Sequence, residues 1–477
     1  MMSILPEAYL PKSAPLSVWR QSGWITLDRR DGIREGCLIE ARGVDPRALP
    51  TLTTLPMPKR TAHPALAGKP LSLHLVDGVL YAVTEQDGEA TLWREKDGAW
   101  QAYSLGNAYP SQARTVLSFT YYNFPDNPLN TTYNYPMVLI LPDGYYLRPD
   151  EEEAKLYNLY MREGAMPYLS SACVYLSRLF GVGGGVAYAS DHNCVTEWNF
   201  DTADSISASH AWYTTSHSAG AANAGDFTAI VAYSGLILAF KEQCCQMIAG
   251  SKNPFRIADL LSVGAADART VAQVGPYLMF ADRQQVYRFD GDDVREVGMP
   301  LHVEDFSGAV AASGGGLYYL YVPSCNRVFT YSSDTGAWGE LYSFTTKPIV
   351  SMVGLGEKGC LFLDEAGEIY TTEDAEEICF SVETSSIVPD LPAPSRLLRL
   401  RLTLVATEGA SLSLSCRFSD GRTLPLFTIE GDGRTQRRSV RIPGASDTAA
   451  SLLFTGTGKI SIKAIDLVTA ETATDGT

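Results

Sequence analysis

Six histidines, nine cysteines and a few acidic runs are the residues of this chain that could carry chemistry. Their spacing argues against most of it. His63, His74, His192, His210, His217 and His302 fall at no metal-ligand interval, and His210 and His217 sit in a Ser-, Ala- and Gly-rich stretch that reads as linker. The cysteines (Cys37, Cys173, Cys194, Cys244, Cys245, Cys325, Cys360, Cys379 and Cys416) are odd in number and form no CxxC pair. They read as small buried hydrophobes in a reducing compartment. Vicinal Cys244-Cys245 would be a redox pair only if both were reachable, and alternation along a strand should bury one and expose the other. Asp150, Glu151, Glu152 and Glu153 are the densest acidic run, but they read as the cap and first turn of a short helix rather than as a cation site. GVGGGVA at 181–187 lies in a hairpin, not between a strand and a helix, so it is no phosphate cradle. Ser332-Ser333-Asp334-Thr335-Gly336-Ala337-Trp338 approaches the Asp-box of sialidase propellers, itself a turn-stabilising element without a catalytic role. There is no GxSxG and no P-loop. The expectation is therefore no catalytic, cofactor-binding or metal-binding residue, no cofactor, and no enzymatic activity. Any propeller loop can carry the Asp and Glu of a glycosidase.

The elements that would position any site are β-strands. Between Leu71 and Leu105 the runs SLHLV, VLYAVT, EATLW and AWQAYSL are joined by Asp77-Gly78, Asp87-Gly88 and Asp97-Gly98. Asp-Gly between alternating apolar runs signals a type I′ hairpin, because both central residues need positive φ. Four strands in a meander make one blade, and a lone blade cannot bury both faces. Further hairpins follow: LSFTYY with MVLILPDGYYL, VYLSRLFGVGGGVAYAS with VTEWNF, FTAIVAYSGLILAF with CCQMIAG, then YLMFA to VREVG, GGLYYLYV to AWGELYSF, and IVSMVGL to EIYTTE. That makes seven blades, with six or eight within reach of the irregular spacing. Two hairpins end alike at Trp100 and Trp338, an aromatic position that propellers reuse to pack blade on blade. Asp150 to Gly164 reads as a short helical insertion, 150–163, between blades.

Val388 to Pro394 holds three prolines and marks a linker. The fold class is thus all-β: a propeller over 70–387, then a small sandwich over 394–468, with a Thr- and Ala-rich tail at 469–477 expected to be disordered. Residues 1–69 are proline-rich. Two readings stay open for them, a strand that closes the last blade or an arm that orders on a partner.

With 45% apolar residues and 25 Tyr in 477, the chain has material for a large core. MMSILPEAYLPKS lacks a secretory pattern, and no apolar run approaches a membrane span. A net charge of −16 argues against a protein that clamps phosphates, though not against a surface that DNA slides past.

The order of these features resembles phage-encoded virion structural proteins: the propeller proteins of prophages in gut Firmicutes and, more distantly, the packaged-DNA stabilisation (tail-hub) proteins of short-tailed phages. RLFGVGGGVAYASDHNCVTEWNF at 178–200, TAIVAYSGLILAFKEQCCQMIAG at 228–250, GAADARTVAQVGPYLMFADRQQVYRFDGDDVREVG at 264–298 and LLFTGTGKISIKAIDLV at 452–468 carry the likeness. The proline-rich start and the 150–163 insertion depart from it. The resemblance implies a non-enzymatic subunit of a head-to-tail connector or tail hub, stabilising packaged DNA or adapting tail components. Its partners would be portal or connector proteins, other tail proteins, and copies of itself in a ring. Sequence-specific nucleic-acid binding and membrane contact are not expected. Such a protein is made in the bacterial cytoplasm and resides in the virion. In isolation it should be a monomer or weak oligomer, and deleting 394–477 should leave a folded propeller. The rival is a glycan-binding, receptor-binding or sialidase-like propeller, with Tyr121, Tyr122, Tyr133, Tyr135 and Trp212-Tyr213 as candidate sugar platforms.

Overall fold

The structure, a computed structural model, describes residues 16–21, 24–30, 36–107, 114–122, 134–150, 155–160, 165–196, 198–202, 207–214, 225–385, 395–418, 421–442 and 450–471. Among these residues the fold is all-β, with single 3-10 turns at Pro46–Ala48, Ala268–Thr270 and Met299–Leu301 and no α-helix.

The first blade is built as its turns demand. Lys69–Val76, Val79–Gln86, Glu89–Lys96 and Ala99–Asn107 pair in sequence order. Asp77 and Gly78 take φ 50° and 80°, and the other two Asp-Gly turns repeat this. Glycine carries the second positive φ without a Cβ penalty. Six further four-stranded units follow, their innermost strands at Thr115–Tyr122, Ser171–Tyr175, Phe227–Tyr233, Ala272–Val274, Val310–Gly314 and Ile349–Gly354. Apolar clusters fill the spaces between neighbouring blades. Between the seventh and the first, for example, Leu361, Leu363 and Ile369 meet Leu66, Leu73 and Leu80. Each such side chain contributes about 1.5–3 kcal/mol when fully buried.

The seventh blade is closed by the N-terminal segment. Lys59–Arg60 pairs with Ile369–Thr371 as its outermost strand, so of the two readings left open the structure takes the closing strand. The same segment goes further. Leu16–Gln21 and Leu52–Thr53 pair with Ile460–Glu471, and Leu38–Arg42 pairs with Cys379–Thr384. The sandwich therefore contains strands from both ends of the chain and begins before the prolines, not at 394. One of its sheets orders Leu16–Gln21, Ile460–Glu471, Ser395–Ala406 and Thr435–Arg441. The other runs Leu38–Arg42, Cys379–Thr384, Ala450–Thr457, Ser411–Phe418 and Thr423–Glu430. This second sheet is continuous with the sixth blade, nine strands in all, through the parallel contact of Arg42 with Glu340. Glu340 is 2% exposed and sits between Arg42 and Arg327, with closest approaches of 3.3 and 3.2 Å. Burial pushes its carboxyl up, against the pull of the two guanidinium groups. One apolar core runs from Phe329 and Trp338 in the sixth blade to Leu402, Phe454 and Ile462 in the sandwich. The expected free-standing propeller after deletion of 394–477 is corrected accordingly, because that cut strips Phe380 and Val382 of their paired strand and removes the sandwich half of the shared core.

Three other expectations change. The helical insertion at 150–163 is replaced, within the described residues, by the strand Leu156–Asn158, the outermost strand of the second blade. Pairing with Tyr145–Leu147 satisfies its backbone and stacks Tyr157 on Tyr146 at 4.9 Å, whereas a helix this short is marginal without tertiary packing. Glu151, Glu152 and Glu153 lie outside the described residues. The third blade ends not on VTEWNF but on Trp212–Tyr213, while Val195 and Trp198 are buried beneath it. At the tail, 469–471 complete a strand, and 472–477 lie outside the described residues.

Candidate binding surfaces

The innermost strands enclose an axial cavity of about 260 Å³. Small residues on these strands make it and also stitch the ring. Ser351 Oγ accepts the Leu73 N–H at 3.0 Å across the seventh-to-first junction, and Ser171 Oγ accepts the Ile230 N–H at 3.2 Å across the third-to-fourth. Farther out, Tyr175 donates its hydroxyl to the Gly235 carbonyl at 2.7 Å and Tyr233 to that of Pro276 at 2.5 Å, each reaching the next blade's first turn. Trp338 and Trp100 behave alike, as the repeat suggested. Each indole N–H donates to a carbonyl just past the outer strand of the preceding blade, Val297 at 2.7 Å and Pro64 at 3.0 Å.

Charge enters the cavity wall through Arg114 and Arg269. Arg269 is clasped by Asp267 at 2.7 Å. Arg114 and Asp143 form a fully buried ion pair, Nε to Oδ2 2.9 Å, so the acidic member of the second blade's Asp-Gly turn is turned inward. Burial raises the Asp143 carboxyl pKa, opposed chiefly by the Arg114 charge. His74 lies on the same wall, and burial, then Arg114, pushes its imidazole down to about 4, so it is neutral near pH 7. Among the described residues the buried Ser72 hydroxyl and His74 Nε2 have no hydrogen-bond partner. Among the described residues no carboxylate lines the cavity directly. Its polar lining suits a hydrogen-bonding recess for water or a small polar molecule.

A second surface is the loop between Val186–Ala189 and Trp212–Tyr213. Arg178, 1% exposed, holds it from below, its guanidinium donating to the carbonyls of Ser190, His210 and Ala208. Above it, Asp201 accepts from the Ser207 N–H, His210 Nδ1 and Asn253 Nδ2 at 3.0, 2.9 and 2.7 Å. These bonds, the Ser207 N–H first, hold the Asp201 carboxyl below the usual range. His210 and Asp201 thus make an oriented pair, and among the described residues no hydroxyl or thiol is hydrogen-bonded to the other imidazole nitrogen. Beside them Phe200 packs edge-on against Tyr213 at 5.2 Å, and Tyr213 is 45% exposed.

The remaining candidate residues are scattered. His63 meets Thr61 and Trp100, His192 meets Asn193, His302 ends a 3-10 turn, and His217 lies outside the described residues. Cys244 and Cys245 are both buried, at 6% and 0%, and burial raises both thiols, so the alternating exposure expected for them is not found. The strand begins only at Cys245, which leaves Cys244 in a turn free to pack inward. Asp334 is exposed, and the turn is held instead by Ser332, whose Oγ accepts the Thr335 N–H at 3.4 Å. Tyr135 lies under the Arg148 guanidinium, Trp212 is buried against Phe255, Tyr133 is outside the described residues, and the side chains of Tyr121 and Tyr122 are likewise undescribed. Among the described residues no three His, Cys, Asp or Glu converge as a metal site. Sequence reasoning missed the Arg114–Asp143 pair and the Arg178 clasp, because each joins groups that no local pattern connects.

Replacing Arg178 with Met should leave three carbonyls short of a donor and cost about 1–3 kcal/mol. The expected result is early proteolytic cleavage within 190–211, with the rest of the chain still protected.

No family model matches the chain, and no curated protein matches it. Among solved structures it is similar to the extracellular domain of the putative hybrid two component system BT4673 from B. thetaiotaomicron, at 9% identity and TM-score 0.40 over 80% of this chain. The chain spans about half of that structure, 47%. It is also similar to a streptogramin B lyase, at 11% identity and TM-score 0.40, covering 66% of this chain and 95% of that one. A third is YCF48 from Cyanidioschyzon merolae, at 10% identity and TM-score 0.39, covering 66% and 98%. Likenesses at this level carry no argument about activity.

Proposed function

We propose that the chain is a non-enzymatic structural subunit of a phage virion, acting at the head-to-tail connector or tail hub to stabilise packaged DNA or adapt tail components. The observation that carries this reading is the weld between propeller and sandwich. A nine-stranded sheet, a buried Glu340 ion pair and strands from the first 60 residues tie the two into one body, which suits a part that transmits load. In this reading the chain meets portal or connector proteins, other tail proteins and copies of itself in a ring, reads no DNA sequence and touches no membrane. Particles purified from a lysogen carrying the gene should contain the chain in stoichiometric amount, and deleting the gene should give particles that lose DNA or lack tails. Normal infectious particles without the chain would overturn the reading. Purified protein should give only background turnover of sialosides, aryl glycosides and phosphoesters.

A second reading, glycan binding, draws on the exposed Tyr213 and its aromatic neighbours beside the polar Asp201–His210 pair. Saturable binding on a glycan array that disappears in Tyr213→Ala would favour it over the structural role.

A further inference from the structure

The charge of this chain is not evenly spread. Residues 395–471 hold eleven Lys and Arg against seven Asp and Glu, while all other residues hold 27 against 47, so a module of net +4 stands on a remainder of net −20. Strand alternation concentrates the positive charge on one face. In Ser395–Ala406 the residues Leu400, Leu402 and Leu404 are buried in the sandwich, which turns Arg399 and Arg401 outward, and both are exposed. In the neighbouring Thr435–Arg441 the exposed residues Arg437 and Arg441 share that face. The register sets Arg399 directly opposite Arg441, and Thr403 opposite Arg437.

Like charges directly opposite on neighbouring strands destabilise a sheet. Among the described residues Arg399 and Arg441 face each other, Asp466 faces Arg401 from the other neighbouring strand, and none of the four arginines is within ion-pair distance of a carboxylate. Between the strands lies a hollow of about 560 Å³, lined by Arg401, Arg437, Arg438 and Lys463, with Asp466 as its single acidic residue. Such a face suits planar, bidentate recognition of carboxylates by guanidinium forks. Its described outward positions carry no aromatic ring on which a base or a sugar could stack.

We propose that this arginine face docks onto the acidic propeller of a second copy of the chain. The same chain carries a complementary surface. Asp374, Glu376 and Glu377 lie in the connection from the seventh blade to the sandwich, are exposed, and make no ion pair among the described residues. Two unlike surfaces in contact give a heterologous interface, which propagates into a ring or an open array. The contact is electrostatic and local, because exposed charges are screened beyond roughly 8 Å at physiological salt. It deepens the ring of copies in the structural reading above, yet the purified chain alone tests it, so failure here and failure of the virion assignment are separate results.

Sedimentation velocity of the full chain across a concentration series, at low and high salt, provides the test. Wild type should self-associate at low salt and dissociate at high salt. Arg401→Glu with Arg437→Glu should weaken association by about tenfold or more, as should Glu376→Lys with Glu377→Lys, since several exposed pairs turn from attraction to repulsion. Combining all four substitutions in one chain should restore association. Arg401→Glu sets a carboxylate opposite Asp466, so each variant's thermal melt is recorded alongside and association is compared only between variants that melt cooperatively above the temperature of the run. A wild type that stays monomeric at low salt, an arginine variant that associates normally, or a fourfold variant that fails to recover would overturn the proposal. So would duplex DNA bound through Arg401 and Arg437 without self-association, which would make a nucleic acid the occupant instead.

Discussion

Deleting residues 1–62 is expected to leave no folded protein, with loss of the cooperative thermal transition and recovery only in the insoluble fraction. The cut removes the outermost strand of the seventh blade and three strands of the sandwich. It also removes Trp24, Leu27, Leu38, Val44, Leu49 and Leu52 from the shared core, all 7% exposed or less. At about 1.5–3 kcal/mol each, their loss amounts to roughly 9–18 kcal/mol. That matches or exceeds the ~5–15 kcal/mol by which a typical domain is stable. A soluble, cooperatively melting fragment 63–477 would show that the first segment merely decorates a self-sufficient propeller.

Asp143→Ala should cost about 3–5 kcal/mol, because it leaves the Arg114 guanidinium buried without its carboxylate beside the axial cavity. Chemical denaturation with an unchanged m value would measure it. The pairing account makes a further demand. Replacing both partners, Arg114→Met with Asp143→Leu, should recover most of the loss, since a buried ion pair exchanged for apolar groups is often near neutral. A double variant no more stable than Asp143→Ala would mean that the charges are not what couples these positions.

What was legible in the sequence was local. Asp77-Gly78 and its two successors announce their own φ angles, and strands two residues apart in sequence find each other, so the first blade could be read whole. What failed was non-local. Lys59–Arg60 and Trp212–Tyr213 are two-residue strands whose identity comes entirely from a distant partner. The run from Asp150 carries helix signals that hold only if nothing nearby offers a strand edge, and Tyr145–Leu147 offers one. Prolines between 389 and 394 mark a boundary that is visible in the sequence, whereas the pairing of Cys379–Thr384 with Ala450–Thr457, which moves the sandwich ahead of them, is not. At the candidate sites, Asp143 was legible as a turn residue but not as half of an ion pair. The arginine face was within reach, since RLLRLRL and RRSVR alternate plainly, but a single net charge for the whole chain conceals it.

The pairing of Leu16 with Ala470 has a consequence for how the molecule comes to exist in a cell. Ribosomes add about 5–20 residues per second, so the earliest strand emerges roughly 20–90 s before its mate. The first blade can fold within a fraction of that time, but the segment upstream of it must wait, extended and unpaired, beside every half-made blade that follows. Its composition fits the wait. Pro56 and Pro58 withhold backbone donors, and the charged side chains of Lys59 and Arg60 discourage pairing with a wrong edge until Ile369–Thr371 has been synthesised. Slow translation of the last hundred residues should therefore prolong a vulnerable nascent state, and the yield of soluble protein should depend on the rate at which the carboxyl-terminal codons are read.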